Sequence, residues 1–127
     1  MKRSMLSVLI IFSAGAWAES VRPVVLVIGT RPEAIKMIPL YQMLQEAKIP
    51  AVLCSTGQHA HLIDDLYRLF DVRPDIDLKI MKPGQDLFYI TTVVLEQIKS
   101  VFERLNPALV IVQGDTTTAM ASALAAF

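Results

Sequence analysis

The chain has few of the residues that mark a chemistry on their own. Cys54 is its single cysteine, so no intrachain disulfide can form, and a reducing compartment is the simplest reading. Its two histidines, His59 and His61, do not define a metal site by their spacing, and no Cys/His cluster accompanies them. No metal is therefore expected. Neither sign of charge is in excess: 12 basic side chains balance 12 acidic ones. That balance removes the electrostatic case for nucleic acid or an anionic membrane as partner, and makes any anion binding local. Internal repeats and low-complexity linkers are absent. So are the G-x-x-x-x-G-K-[ST] phosphate loop and the G-x-G-x-x-G dinucleotide fingerprint.

What is present is apolar. Hydrophobic residues make up 54% of 127, enough for one small domain whose sheet is buried on both faces. Part of that content lies in a leader. Met1-Lys2-Arg3 is basic, Met5 to Phe12 is mostly apolar, and Ala16-Trp17-Ala18 precedes Glu19. These are the three regions of a signal peptide, with cleavage expected after Ala18. A spurious upstream extension is the alternative. The expected division is residues 1–20 as leader and residues 21–127 as the domain.

Strand and helix patterns alternate through that domain. Val24 to Ile28 reads as a fully covered parallel strand. A helix entered at Pro32 follows, with Met37, Leu40, Tyr41, Leu44 and Ala47 on its apolar face and Pro50 at its close. Ala51 to Ser55 is a second strand, and Leu62, Leu66, Leu69 and Phe70 mark a second helix. Ile76 to Ile80 is a third, edge-like strand. Phe88, Thr91, Leu95, Ile98, Phe102 and Leu105 form the stripe of a long helix that begins near Gly84-Gln85-Asp86. Asn106-Pro107 ends it, and Leu109 to Val112 is the fourth strand. Met37, Met43, Met81 and Met120 are expected as core filler. Four alternations predict an α/β fold with a parallel, Rossmann-like sheet. Strands one and four are expected side by side, which would join the turns at Gly29 and Gly114 in one crevice.

Both turns carry candidate chemistry. In Gly29-Thr30-Arg31-Pro32-Glu33, free N–H groups at a helix start attract anions, and Arg31 adds a forked cation suited to a diphosphate. Lys36 lies close enough to approach the same place. The alternative is a capped helix start, with Arg31 and Glu33 solvated or paired to each other. In Gly114-Asp115-Thr116-Thr117-Thr118, Asp115 is placed to act as acid, base or hydrogen-bond anchor, or else as an ordinary N-cap. Gln58 and His59 end the second strand and can face the same crevice.

Four segments occur in order: GTRPEAIKMIPL (Gly29 to Leu40), TGQH (Thr56 to His59), MKPGQ (Met81 to Gln85) and GDTTT (Gly114 to Thr118). Together they closely resemble the start of the bacterial non-hydrolysing UDP-N-acetylglucosamine 2-epimerases, over about Arg22 to Phe127. The resemblance implies a glycosyltransferase-B-like fold of two Rossmann-like domains, of which residues 21–127 are an incomplete N-terminal one. It implies interconversion of UDP-N-acetylglucosamine and UDP-N-acetylmannosamine by elimination of UDP to 2-acetamidoglucal and its re-addition. It further implies that no metal or redox cofactor takes part. Cytoplasmic location and a full-length homodimer are also implied, although the leader argues for export.

Carried onto this sequence, Arg31 meets the diphosphate beside Gly29, Thr30 and Thr116, which bind substrate. Lys36 and Asp115 match catalytic positions. Gln58, His59 and Gln85 match segments that line a second, allosteric UDP-N-acetylglucosamine site. Such a segment is expected to supply the first half-site and to lack activity alone. A non-enzymatic α/β module binding a nucleotide sugar or other anion is the alternative.

Overall fold

The computed structural model describes residues 21–127, and the leader expected at 1–20 lies outside them. Strands and helices alternate as β1 (Val24–Ile28), α1 (Arg31–Glu46), β2 (Ala51–Ser55), α2 (Ala60–Leu69), β3 (Ile76–Asp77), α3 (Leu87–Leu105), β4 (Leu109–Ile111) and α4 (Thr117–Ala126). They form one sheet in the order β3-β2-β1-β4, with every pair parallel. β1 and β4 are neighbours, as expected, in the register Leu26↔Ile111.

The side-chain alternation of β1 builds two cores. Val25 and Val27 join Cys54, Ile90, Val94 and Ile98 of α3, and Ala121 of α4. Leu26 and Ile28 join Leu53 with Ala34, Met37, Ile38 and Tyr41 of α1, and Ile63 and Leu66 of α2. The sheet is therefore covered on both faces, which is why β1 is apolar throughout rather than alternating. Each such Leu or Ile contributes about 1.5–3 kcal/mol of transfer free energy.

Several expectations about phase and extent are corrected. In α3 the buried positions are Ile90, Val94, Ile98, Val101 and Phe102, while Phe88 is 85% exposed. The first turns of α3 are apolar nearly all round, so spacing alone could not say which side meets the sheet. In α2, Ile63 takes the buried place, and Leu62 and Leu69 are exposed. Met37 is core, but Met43, Met81 and Met120 are exposed. Ala47 is exposed as well, and α1 ends at Glu46, before Pro50, where Lys48 turns left-handed at φ 57°. β3 stops at Asp77 because Lys79 adopts φ 53°. Leu78 and Ile80 still donate to the β2 side, to Ser55 and Thr56 carbonyls at 2.9 and 3.0 Å.

Three contacts fix the two ends of α3. Asp86 accepts from the Tyr89 N–H at 2.7 Å and starts α3. Asn106, left-handed at φ 43°, ends it. Arg22 then donates to the Asn106 and Pro107 carbonyls at 3.0 and 2.9 Å, placing a cation where the helix dipole is negative.

Candidate functional site

The register Leu26↔Ile111 sets Gly29 and Gly114, each three residues on, at the same end of the sheet. α1 and α4 begin there. Gly114 needs to be glycine for its conformation, φ 86°. Gly29 needs to be glycine for space: a Cβ there would press into the Thr118 and Thr56 hydroxyls and lie 2.9 Å from Thr118 Cβ.

Glu33, one turn into α1, folds back over this junction. Its Oε2 accepts from the Gly29 N–H at 2.6 Å and the Thr30 N–H at 2.9 Å. Its Oε1 accepts from the Thr116 hydroxyl at the start of α4. The side chain is buried, and among the described residues no Arg31–Glu33 ion pair forms. Glu33 was not singled out from the sequence. The signal was there, because Thr30-Arg31-Pro32-Glu33 fits the capping-box spacing.

Thr116 is the N-cap of α4 and accepts from the Ala119 N–H at 3.1 Å. Asp115 is therefore not the cap. It is exposed and makes no hydrogen bond among the described residues, as is also true of the Arg31 side chain. Lys36 reaches the β4 end: with the Gln113 amide oxygen turned toward donors, it accepts from Lys36 Nζ at 3.1 Å and from Gly114 N–H at 3.2 Å. Two cations and one carboxylate thus stand at two adjacent helix N-termini, suited to holding an anion beside a proton-transfer group. The Gly29 and Thr30 N–H groups, expected as free anion donors, are taken by Glu33.

A second cluster lies alongside. The Thr56 N–H donates to the Ile28 carbonyl at 2.8 Å and the His59 N–H to the Gly29 carbonyl at 2.9 Å, zipping the β2 loop to the end of β1. Thr118 donates to Gln58 Oε1 at 2.7 Å, leaving Thr56 as donor in the 2.9 Å Thr56–Thr118 bond. Gln85 donates through Nε2 to the Gln58 carbonyl at 2.9 Å. Gln58, His59 and Gln85 line one cavity of about 330 Å³ with His61, Met81 and Lys82. Lys82 Nζ sits 3.4 Å above the centre of the Tyr89 ring. Among the described residues, no group of three or more His, Cys, Asp or Glu side chains is placed to hold a metal. No helix there is long and apolar enough to cross a membrane.

Cys54 is free and fully buried. Burial, with the charge of Asp77 adding and Arg104 opposing, pushes its thiol up to about 12. Burial likewise raises the Tyr67 hydroxyl.

Comparison with known proteins bears on this arrangement. The profile of the UDP-N-acetylglucosamine 2-epimerase family matches residues 42–127. A probable UDP-N-acetylglucosamine 2-epimerase of Ralstonia solanacearum is 51% identical over 107 residues, covering 84% of this chain and 28% of its own length. The UDP-N-acetylglucosamine 2-epimerase of Escherichia coli K12 is 50% identical, covering 82% of this chain and 28% of its own. The crystal structure of the Neisseria meningitidis enzyme bound to UDP-GlcNAc superposes with TM-score 0.77 at 46% identity, over 83% of this chain and 29% of that one. The chain thus spans a little over a quarter of the length of its relatives. The profile matches from residue 42 onward, the relatives and the superposed structure each cover more than four-fifths of the chain, and the chain belongs to the UDP-N-acetylglucosamine 2-epimerase family.

Proposed function

We propose that residues 21–127 form the first half-site of an enzyme interconverting UDP-N-acetylglucosamine and UDP-N-acetylmannosamine, completed by a second Rossmann-like domain. One observation carries this: Arg31, Lys36 and Asp115 stand exposed at the adjoining ends of β1 and β4. Support comes from the relatives' names and from the neighbour bound to UDP-GlcNAc.

In this scheme the C2 proton leaves as the C1–oxygen bond to UDP breaks, giving 2-acetamidoglucal and UDP. A proton then adds to the opposite face of C2 and UDP re-forms the bond at C1. Arg31 meets the diphosphate, where charge develops as UDP departs, and Lys36 adds a second cation. Thr116 contributes at the same turn. Asp115 serves the acid/base or sugar-positioning set. The reaction needs neither metal nor redox cofactor; its nucleotide-sugar substrate argues for the cytoplasm, and the family resemblance for a homodimer when complete. The cavity lined by Gln58, His59 and Gln85 is a second, regulatory nucleotide-sugar site.

Grafting residues 21–127 into the Escherichia coli relative in place of its matching segment tests the reading. Conversion of UDP-N-acetylglucosamine, lost in the Asp115→Asn graft, is expected. A folded graft that binds UDP but converts nothing would favour a binding module without catalysis.

A further inference from the structure

We propose that Glu33 is a positioning residue, one that locks the two turns together and so fixes Asp115 relative to Arg31. This rests on the site reading above.

Glu33 is 1% exposed, although it lies in the first turn of a helix whose neighbours Arg31 and Pro32 face solvent. Burying a carboxylate is costly unless donors surround it. Here one carboxylate joins two turns 83 residues apart: Oε2 holds Gly29 and Thr30, and Oε1 takes the Thr116 hydroxyl. Both helix N-termini favour the negative charge.

Capping α1 does not by itself account for this. The capping box of α1 uses only the bond from the Thr30 N–H. The bond to Thr116 serves no cap of α1 at all. It holds the residue that directly follows Asp115 and itself caps α4. The same carboxylate fills the backbone donors of the β1–α1 turn, which leaves the Arg31 side chain to meet the anion. Loosening the lock should therefore shift Asp115 against the sugar while the long Arg31 side chain still reaches the diphosphate. Turnover is expected to suffer more than substrate affinity.

Amide hydrogen exchange in the chain itself tests the lock without substrate. Thr116→Val removes the hydroxyl donor while keeping the side-chain shape. It should speed exchange at Gly29 and Thr30 by about tenfold or more, and Thr116→Ser should restore protection. Unchanged exchange at Gly29 and Thr30 in Thr116→Val would overturn the proposal, whether or not Glu33→Ala folds.

The positioning role is read in the graft. Glu33→Ala should lower kcat about tenfold or more with KM within about threefold, and Glu33→Gln should recover most of the loss. The Glu33→Ala/Thr116→Val double variant should be no slower than the slower single. Multiplicative losses, or an unchanged kcat in Glu33→Ala, would contradict it. A graft that turns nothing over while the cross-turn exchange response persists would sink the epimerase reading and leave the lock standing.

Discussion

Replacing Gly29 by alanine separates two reasons a glycine can stand in a turn. Its φ is not in the left-handed region, so the backbone conformation itself admits alanine. The obstacle is space. The new methyl would run into the Thr56 and Thr118 hydroxyls and lie 2.9 Å from Thr118 Cβ, in a region where both threonines are fully buried. Overpacking of this kind costs about 1–3 kcal/mol. Parting the Thr56–Thr118 hydrogen bond adds about 1 kcal/mol. A total of about 2–4 kcal/mol is a large share of the roughly 5–15 kcal/mol that holds a small domain together.

Gly114→Ala makes the contrast. Nothing lies within 4 Å of its would-be Cβ, but φ is 86°, so the cost is conformational, about 1–2 kcal/mol. Urea unfolding of residues 21–127, followed by far-ultraviolet circular dichroism, measures both. Adding Thr118→Ala to Gly29→Ala should recover about 1 kcal/mol or more, because one of the clashing oxygens is gone. A Gly29→Ala cost below about 0.5 kcal/mol, or below that of Gly114→Ala, would refute the steric account.

Three further outcomes follow from other parts of the molecule. Asp115→Asn in the graft should cut turnover yet change stability by less than about 0.5 kcal/mol, whereas Thr116→Val should cost about 1 kcal/mol or more, through the lost cap and the lost donor to Glu33. Thermal unfolding beside a rate assay checks both. The Cys54 thiol rises from 9.0 to about 12, and the Tyr41 and Tyr67 hydroxyls are also raised, so folding favours their protonated forms. Stability should accordingly be complete below about pH 9 and fall as pH climbs toward 12, by up to about 1.4 kcal/mol per unit for one group, with a shallower fall in Cys54→Ala. Finally, Met120 and Leu124 of α4 and Phe127 at its C-cap are exposed, and β4 ends the sheet among the described residues. Residues 21–127 should self-associate in sedimentation velocity, and Met120→Lys with Leu124→Lys should shift them toward monomer.

The order of elements was legible because β1 is apolar from Val24 to Ile28 and each helix restores a helical period. The neighbouring of β1 and β4 was legible from the matched glycine turns. Helix phase was not. Leu87, Phe88, Tyr89 and Ile90 are consecutive apolar residues, and only the sheet beneath them selects Ile90. Left-handed turns at Lys48 and Lys79 were hidden because lysine carries no conformational signal comparable to glycine's. Residue types pointed to Arg31, Lys36 and Asp115, which are exposed at the adjoining ends of β1 and β4. The inward fold of Glu33 did not announce itself, since a charged residue beside Arg31 and Pro32 looks like surface. Which residue caps α4 was equally open, because Asp115 and Thr116 are both good N-caps and one step of backbone decides between them.

The central claim is that the β1–α1 and β4–α4 turns make one nucleotide-sugar site. Titrating isotopically labelled residues 21–127 with UDP-N-acetylglucosamine, and following backbone amide resonances, tests it most directly. The account predicts that perturbations at Thr30 to Lys36 and at Gln113 to Thr116 appear together, with one shared affinity, and are lost together in Arg31→Ala. Perturbation of one turn without the other, or shifts confined to surfaces away from both, would contradict it.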